Sequence, residues 1–319
     1  MANDAARVTL VAACYNHEPY IQQCFESIAR QSLQSFDLIV TDDASTDGSR
    51  GRILSELGRL GLSARTVFNA RNRGICATFN AALELVQTPY VAFLSTDDAL
   101  APTRLERQLE MFDEQPEDVA FIYGDMPVID DSGEPTGEHF YNAATVNRYR
   151  ADRAAMYEEL LGGNFIAAPS AMIRTSALRA IGGYDETLAY EDYDVWCRLA
   201  RHHRVGYSDE PLVLYRRGVS ATGAASLSDE LNASRRVQYL VTNVRILAKH
   251  LGESTRLDRL ITGRAYSYAM EAYKLGSRDK AIYRAMIDHL RVHPSPRGAI
   301  LTLLAFCRVP IQRFLPAIG

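Results

Sequence analysis

Two hydrophobic periods alternate through the first hundred residues, and no other feature limits the fold so tightly. Residues 8–14 (VTLVAAC), 36–41 (FDLIVT), 64–68 (ARTVF) and 90–95 (YVAFLS) are apolar runs of strand length, rich in β-branched and aromatic side chains. Between them the apolar residues recur at helical spacing: Ile21, Cys24, Phe25 and Ile28, then Ile53, Leu54 and Leu57, then Phe79, Ala82, Leu83 and Val86. Strands that are apolar along their whole length must be covered on both faces. The pattern therefore predicts an α/β fold with a mainly parallel sheet and helices on both sides. In such sheets ligands bind outside the carboxyl ends of the strands, where Tyr15, Asp42, Asp43, Asp97 and Asp98 are expected to converge.

Helix starts are marked by Pro19 and by the cluster Ser45, Thr46 and Asp47 ahead of the second helix. The segment DLIVTDDASTDGS (37–49) delivers Asp42 and Asp43 to a strand end, where a carboxylate accepts from a base N–H or a ribose hydroxyl, or merely caps the turn. On these residues alone the two readings weigh the same. YVAFLSTDDAL (90–100) ends in the adjacent acids Asp97 and Asp98. Neighbouring carboxylates raise each other's pKa unless a cation binds beside them, and oxygen ligands suit Mg²⁺ or Mn²⁺, which would also hold diphosphate oxygens.

In IGGYDETLAYEDYDVWCRLA (181–200), Glu191, Asp192 and Asp194 open a predicted helix. The helix dipole favours acids there by roughly 0.3–1 kcal/mol each, which explains acids in general but not Asp192 in particular. Arg216 and Arg217 follow a predicted strand and either grip a phosphate or an anionic acceptor or serve as surface charge. Asn72 and Arg73, before a predicted helix, are placed to approach a nucleotide.

The stretch 119–217 is of mixed pattern, with a strand and turn in VAFIYGDMPVID, a strand in SAMIR and a helix in EDYDVWCRLARHH; from about 229 onward the pattern is helical. Charge follows the same division. Residues 1–217 carry 20 basic and 32 acidic residues, whereas the remainder carries 15 basic and 7 acidic. Those basic residues are strung along apolar helical stripes without interleaved aromatics, so nucleic acid is not an expected partner. The last segment, 298–319, is apolar with Arg308 and Arg313 interspersed and too short to span a bilayer. It is expected either to lie in a membrane interface beside anionic lipid or to pack back on the domain. Five scattered cysteines without CxxC argue against a disulfide framework or a zinc site, and the N-terminus lacks a signal-peptide pattern. A reducing cytoplasm is the expected compartment, at the inner face of the cell membrane if the tail does make that contact.

Taken together and in order, VAACYNHEPYIQQCFESIARQS, DLIVTDDASTDGS, NRGICATFNAALELVQTPYVAFLSTDDAL and GGYDETLAYEDYDVWCRLA resemble the signatures of family two glycosyltransferases of GT-A fold over roughly residues 7–217. The resemblance implies a Rossmann-like catalytic domain over 1–220, with a nucleotide half to about 118 and an acceptor half from 119, followed by a helical region at 221–319. It implies inverting transfer of a sugar from a nucleoside diphosphate donor to an acceptor hydroxyl; UDP is the default base, with dTDP and GDP open, and the basic tail points to a glycan or lipid-linked acceptor in bacterial surface polysaccharide assembly. By matching position, Ala13, Tyr15 and Glu18 would line the nucleotide, Asp43 would hold the base, Asp97 would lie near the ribose and Asp98 would ligate Mn²⁺ or Mg²⁺. Asp192 would be the general base and Glu191 would help orient the acceptor. Where many relatives carry a histidine after the YR pair, this chain has Gly218, leaving Arg217 as the nearby cation. A non-catalytic nucleotide-sugar-binding scaffold and a sugar-phosphate nucleotidyltransferase stand as alternatives. The first strand's loop, CYNHEPY, lacks the glycine-rich, arginine-containing sequence the latter needs, and the absence of GxGxxG there rules out a dinucleotide oxidoreductase.

Overall fold

A computed structural model describes residues 5–141, 148–217 and 227–307, with the backbone alone for 227–234. The four apolar runs form strands β1 (Val8–Cys14), β2 (Asp37–Asp42), β3 (Arg65–Phe68) and β4 (Tyr90–Ser95). Helices α1 (Ile21–Ala29), α2 (Ser49–Leu60) and α3 (Ile75–Leu83) lie between them. All seven positions of β1 are buried, as a strand covered on both faces requires. α1 buries Ile21, Cys24, Phe25 and Ile28, the stripe its spacing predicts.

Beyond β4 come β5 (Ala99–Leu100), α4 (Arg104–Glu114), β6 (Val119–Asp125), β7 (Pro127–Ile129), β8 (Pro135–His139) and α5 (Arg153–Leu161). They are followed by β9 (Met172–Arg174), α6 (Thr175–Ala180), α7 (Asp192–Ala200), β10 (Arg204–Pro211) and β11 (Val213–Arg216). The main sheet has seven strands in the order β10-β6-β9-β4-β1-β2-β3, and a smaller sheet has the order β5-β11-β7-β8. β9 runs antiparallel to both β4 and β6, while the pairs β1–β2, β1–β4, β2–β3 and β6–β10 are parallel. The chain winds outward from β1 to β3 and returns to β4 on the other side of β1. The strand order thus reverses between β1 and β4, and the crevice outside their carboxyl ends is the expected ligand site. Register sets the two polar turns level there, with Ala13 beside Ser95 and Cys14 beside Asp42.

The chain divides into two compact units, one of Met1–Tyr157 and Phe165–Ser228, the other of Glu158–Asn164 and Asp229–Gly319. The second contains α8 (Leu227–Ala248), α9 (Thr255–Lys274), α10 (Lys280–Val292) and α11 (Pro296–Phe306). Its helix starts are encoded locally: the side chains of Ser254, Asp279 and Ser295 accept from the first-turn amides of Leu257, Ala281 and Gly298. Among the described residues no helix is long and apolar enough to cross a membrane. Gly218, and the part of the apolar tail from Arg308 onward, lie outside the described residues.

Candidate active site

The loop after β1 is built around three polar side chains that reach the start of α2. Asn16 takes a left-handed backbone, φ 58°, which asparagine tolerates better than most residues. Its Oδ1 accepts from the Thr46 amide at 2.8 Å, and its own amide donates to Ser45 Oγ at 2.9 Å. Glu18, expected along the nucleotide, accepts from the Gly48 amide at 2.9 Å and so caps α2. Asp47, from the predicted capping cluster, accepts from the Ser49 amide at 3.0 Å and from the Glu18 amide at 3.1 Å. A Cβ on Gly48 would lie 2.2 Å from Glu18 Oε1, so a larger residue there would displace the Glu18 carboxylate from this amide. Ala13 is buried and fixed by its carbonyl to the Thr96 amide, whereas Tyr15 is 41% exposed.

Asp42 and Asp43 differ in what they hold. Asp42 is fully buried, accepting from Ser45 and from Arg50 Nε at 2.5 Å. Asp43 ties down the loop before α3: Oδ1 accepts from Asn69 Nδ2 at 2.8 Å and the Arg73 amide at 2.9 Å, and Oδ2 from the Gly74 amide at 2.8 Å. Asn72 is exposed, its Oδ1 accepting from the same Gly74 amide at 3.1 Å.

At the end of β4 the two adjacent acids separate. Asp98, expected to ligate the metal, is 2% exposed and accepts from the Arg216 amide at 2.8 Å. Burial, then the charge of Asp97, pushes its carboxyl well above the ordinary range against the pull of Arg216 and Arg104. Asp97 is the more open of the two. Its Oδ1 is buried without a hydrogen-bond partner, and its Oδ2 lies 3.8 Å from His17 Nε2. His17 in turn meets Thr96 Oγ1 through Nδ1 at 3.0 Å, so the turns after β1 and β4 touch where the strand order reverses. His17 carries no motif of its own, and its place just past β1 is the one sequence signal that points to it.

Arg216, expected at a phosphate or acceptor, is instead buried and committed within the protein. Its Nε donates to the Asp97 carbonyl at 2.7 Å, its other nitrogens to the Asp130 carbonyl and Gln23 Oε1, and its guanidinium covers the Tyr20 ring at 4.6 Å. Arg216 thus braces the acidic turn from behind. Arg217 is half-exposed and pairs with Glu138 at 3.2 Å.

α7 carries the remaining acids. Trp196 fastens the helix to the sheet by stacking on Phe121 at 4.5 Å and donating to the Ile166 carbonyl at 3.1 Å. Arg198 grips Asp194 and the carbonyls of Ile181 and Gly183, holding the preceding loop. Glu191 and Asp192 stand at the helix start, where Asp192 Oδ1 accepts from the Tyr193 amide at 2.5 Å. Crowding by protein, then the charge of Asp192, pushes Glu191 up to about 8. This loop packs on α3: Asn80 Nδ2 donates to the Tyr184 carbonyl and Glu186, and its Oδ1 accepts from the Tyr184 amide, each at 2.9 Å. Cys76 Sγ reaches the Leu188 carbonyl at 4.0 Å, and the charge of Glu191 helps burial raise that thiol to about 12. α3 therefore begins beside Asp43, through Gly74, and lies against the loop that presents Glu191 and Asp192. Asp43 follows β2, Asp97 and Asp98 follow β4, and Glu191 and Asp192 stand at the start of α7.

Among the described residues no three His, Cys, Asp or Glu side chains cluster as a metal site. The donor set at the acidic turn still fits a hard divalent ion. Mg²⁺ commonly binds through one or two carboxylates together with substrate phosphates, and Asp97 has an unpartnered oxygen to offer.

A putative teichuronic acid biosynthesis glycosyltransferase, TuaG of Bacillus subtilis, is 30% identical over 173 residues, 54% of this chain and 64% of its own length. Among solved structures, S. aureus TarS residues 1–349 in complex with UDP-GlcNAc superposes with a TM-score of 0.65 at 17% identity, covering 97% of this chain and 89% of that one. A mannosyltransferase from Pyrobaculum calidifontis in complex with GDP-Man and Mn²⁺ gives 0.58 at 15%, covering 96% and 81%. These likenesses show the GT-A fold. Residues 9–182, more than half of the chain, match glycosyl transferase family 2, and the chain belongs to that family.

Proposed function

We propose that the protein transfers a sugar from a nucleoside diphosphate donor to an acceptor hydroxyl by a single inverting displacement. The observation that carries this is a path of contacts through α3: it runs from Asp43 at Gly74 to the loop at Tyr184–Leu188 that precedes Glu191 and Asp192, while Asp97 stands at the neighbouring strand reversal. Asp43 and the loop it fixes, with Ala13 and the open ring of Tyr15, form the nucleotide side. Asp43 has lone pairs left to accept from the base, and Arg73 stands beside it.

Asp192 is the base. It takes the acceptor hydroxyl proton as the oxygen attacks the anomeric carbon and the bond to the diphosphate breaks on the opposite face. Glu191, held partly protonated near neutrality, donates a hydrogen bond to orient the acceptor while sparing Asp192 a second full negative charge. A divalent ion, Mn²⁺ or Mg²⁺, supplies charge neutralisation at the departing diphosphate when bound, and Asp97, not Asp98, is the carboxylate free to hold it. UDP is the favoured base, a reading supported by the UDP-GlcNAc complex of TarS. The likeness to TuaG, a putative teichuronic acid biosynthesis glycosyltransferase, supports an acceptor in a growing surface polysaccharide, and we place that acceptor at the inner face of the cell membrane.

The test pairs binding with turnover. UDP with Mn²⁺ is expected to stabilise wild type and Asp192→Asn alike, as ligand linkage requires, by about 2.7 kcal/mol at a hundredfold saturation, read as a higher melting temperature. Sugar transfer, or donor hydrolysis in its place, should fall about 10²- to 10⁴-fold in Asp192→Asn. An Asp192→Asn enzyme with wild-type turnover would remove the base from this scheme.

A further inference from the structure

α11 is built inside out for a helix on a water-soluble unit. At 100° per residue, Gly298, Thr302 and Ala305 form its inner face and are buried, whereas Ile300, Leu303 and Phe306 form the outer face. Those three large apolar side chains are 59%, 64% and 51% exposed. Arg297 is the single charged residue between Pro296 and Phe306. Small residues inward and large apolar residues outward is the arrangement expected when a second apolar phase lies outside the protein.

The flank of the same helix lines a cavity of about 680 Å³ through Arg297, Gly298 and Leu301. Facing them are Arg236 and Glu271, which pair with each other, and Lys274. The walls carry three cations against one carboxylate. Tyr266 and His289, stacked at 4.3 Å, complete the lining, and Arg297 is close enough to act on the Tyr266 hydroxyl. A cationic cavity beside an outward apolar stripe matches the two layers of an anionic leaflet, phosphate headgroup above and acyl boundary beneath.

We propose that α11 is a membrane-docking element: Ile300, Leu303 and Phe306 enter the interface of an anionic bilayer while Arg297 and Lys274 receive a lipid phosphate in the adjoining cavity. The proposal deepens the placement of the acceptor given above and is independent of the catalytic roles assigned to Asp192 and Asp97.

Flotation of the full chain with vesicles tests it. Wild type is expected to float with phosphatidylglycerol-containing vesicles, and less with phosphatidylcholine alone. Leu303→Glu, an exposed position that cannot unfold the unit by loss of packing, should reduce vesicle partitioning at least about 10-fold, since a charge replaces the inserted residue. Arg297→Glu with Lys274→Glu should lower binding to anionic vesicles by about 5-fold or more per cation removed, and flatten its salt dependence. Helix content and hydrolysis of a UDP-sugar in solution should stay at wild-type values in both variants, which separates failure of docking from failure of the transferase reading. Three outcomes would each overturn the proposal: wild type left unbound by anionic vesicles at low salt, partitioning indifferent to Leu303→Glu, or the stripe consumed in a stable dimer that vesicles do not dissociate.

Discussion

At the scale of single residues, the two acids after β4 show how adjacent carboxylates acquire different work. The Asp98 carboxylate faces inward to the Arg216 amide, with Arg104 nearby on the buried side. Arg104 is itself fully buried, and its pKa is lowered to about 9 by desolvation, with Asp98 acting in the other direction. Truncating Asp98 would strand a buried amide and remove the nearest acid from a buried guanidinium. Asp98→Ala is therefore expected to cost about 1–3 kcal/mol of stability and lower the melting temperature by a few degrees. Asp97 offers the reverse case, because its buried Oδ1 has no hydrogen bond to lose. Asp97→Ala should melt within about 0.5 kcal/mol of wild type yet lose the Mn²⁺-dependent part of stabilisation by UDP. Calorimetry of both variants with UDP, with and without Mn²⁺, decides the matter; a Mn²⁺ effect that survives in Asp97→Ala and vanishes in a folded Asp98→Ala would restore Asp98 as the ligand.

At the scale of elements, α3 couples the nucleotide side to the reacting side. Its first turn is fixed by Asp43 through Gly74, and Asn80, one turn on, makes three hydrogen bonds to the Tyr184–Glu186 turn. That turn requires glycine at 183, where φ is +71° and a Cβ would lie 2.6 Å from Asn80 Oδ1. Asn80→Ala would let the loop bearing Glu191 and Asp192 drift while Asp43 keeps its own partners. The expected result is a drop in kcat of about 10-fold or more with the Kd for UDP within about twofold, because misplacement of a reacting group by even an ångström is costly. Equal losses in both would mean that α3 serves only the fold. The elements were legible in proportion to their length. β1 to β4 and α1 lie within a residue of the apolar runs and stripe because each is long enough to show its period, whereas α2 extends past its stripe at both ends and α3 starts before Phe79 and ends before Val86. β5 has two residues, too few for any period; β9 has only three, yet it lies inside the strand expected in SAMIR and knits β4 to β6. The bracing role of Arg216 was illegible for a different reason: its partner Gln23 lies 193 residues away, and no local pattern distinguishes an arginine that grips a ligand from one that grips a carbonyl. The acids at the strand ends were legible as a set, but which of them faces outward depends on such distant partners.

At the scale of the whole molecule, the acids divide by the direction in which the fold moves them, and this sets how stability depends on pH. Asp113 is held down by Arg7 and Glu210 by Arg107, so their contributions are present above the ordinary carboxylate range and lost as pH falls through it. Both pairs are exposed and worth little. His203 and His289, lowered chiefly by burial, favour the fold once deprotonated, so their contribution is complete above the ordinary 6.5 and lost below it. Glu191 acts in the opposite sense. Its carboxyl rises from 4.5 to about 8, so the folded chain binds a proton that the unfolded chain has released, and stability declines as pH climbs through that interval. Between about pH 7.5 and 8.5 the histidines and the exposed carboxylates are already in their final states, which leaves Glu191 as the main titrating acid of the two sets. Melting temperatures are therefore expected to fall across that window in wild type and to stay nearly level in Glu191→Gln, whose amide mimics the protonated acid at every pH. Parallel slopes for the two proteins would show that Glu191 is ionised in the fold at neutrality, and its hydrogen-bond donation to the acceptor would then have to be given up.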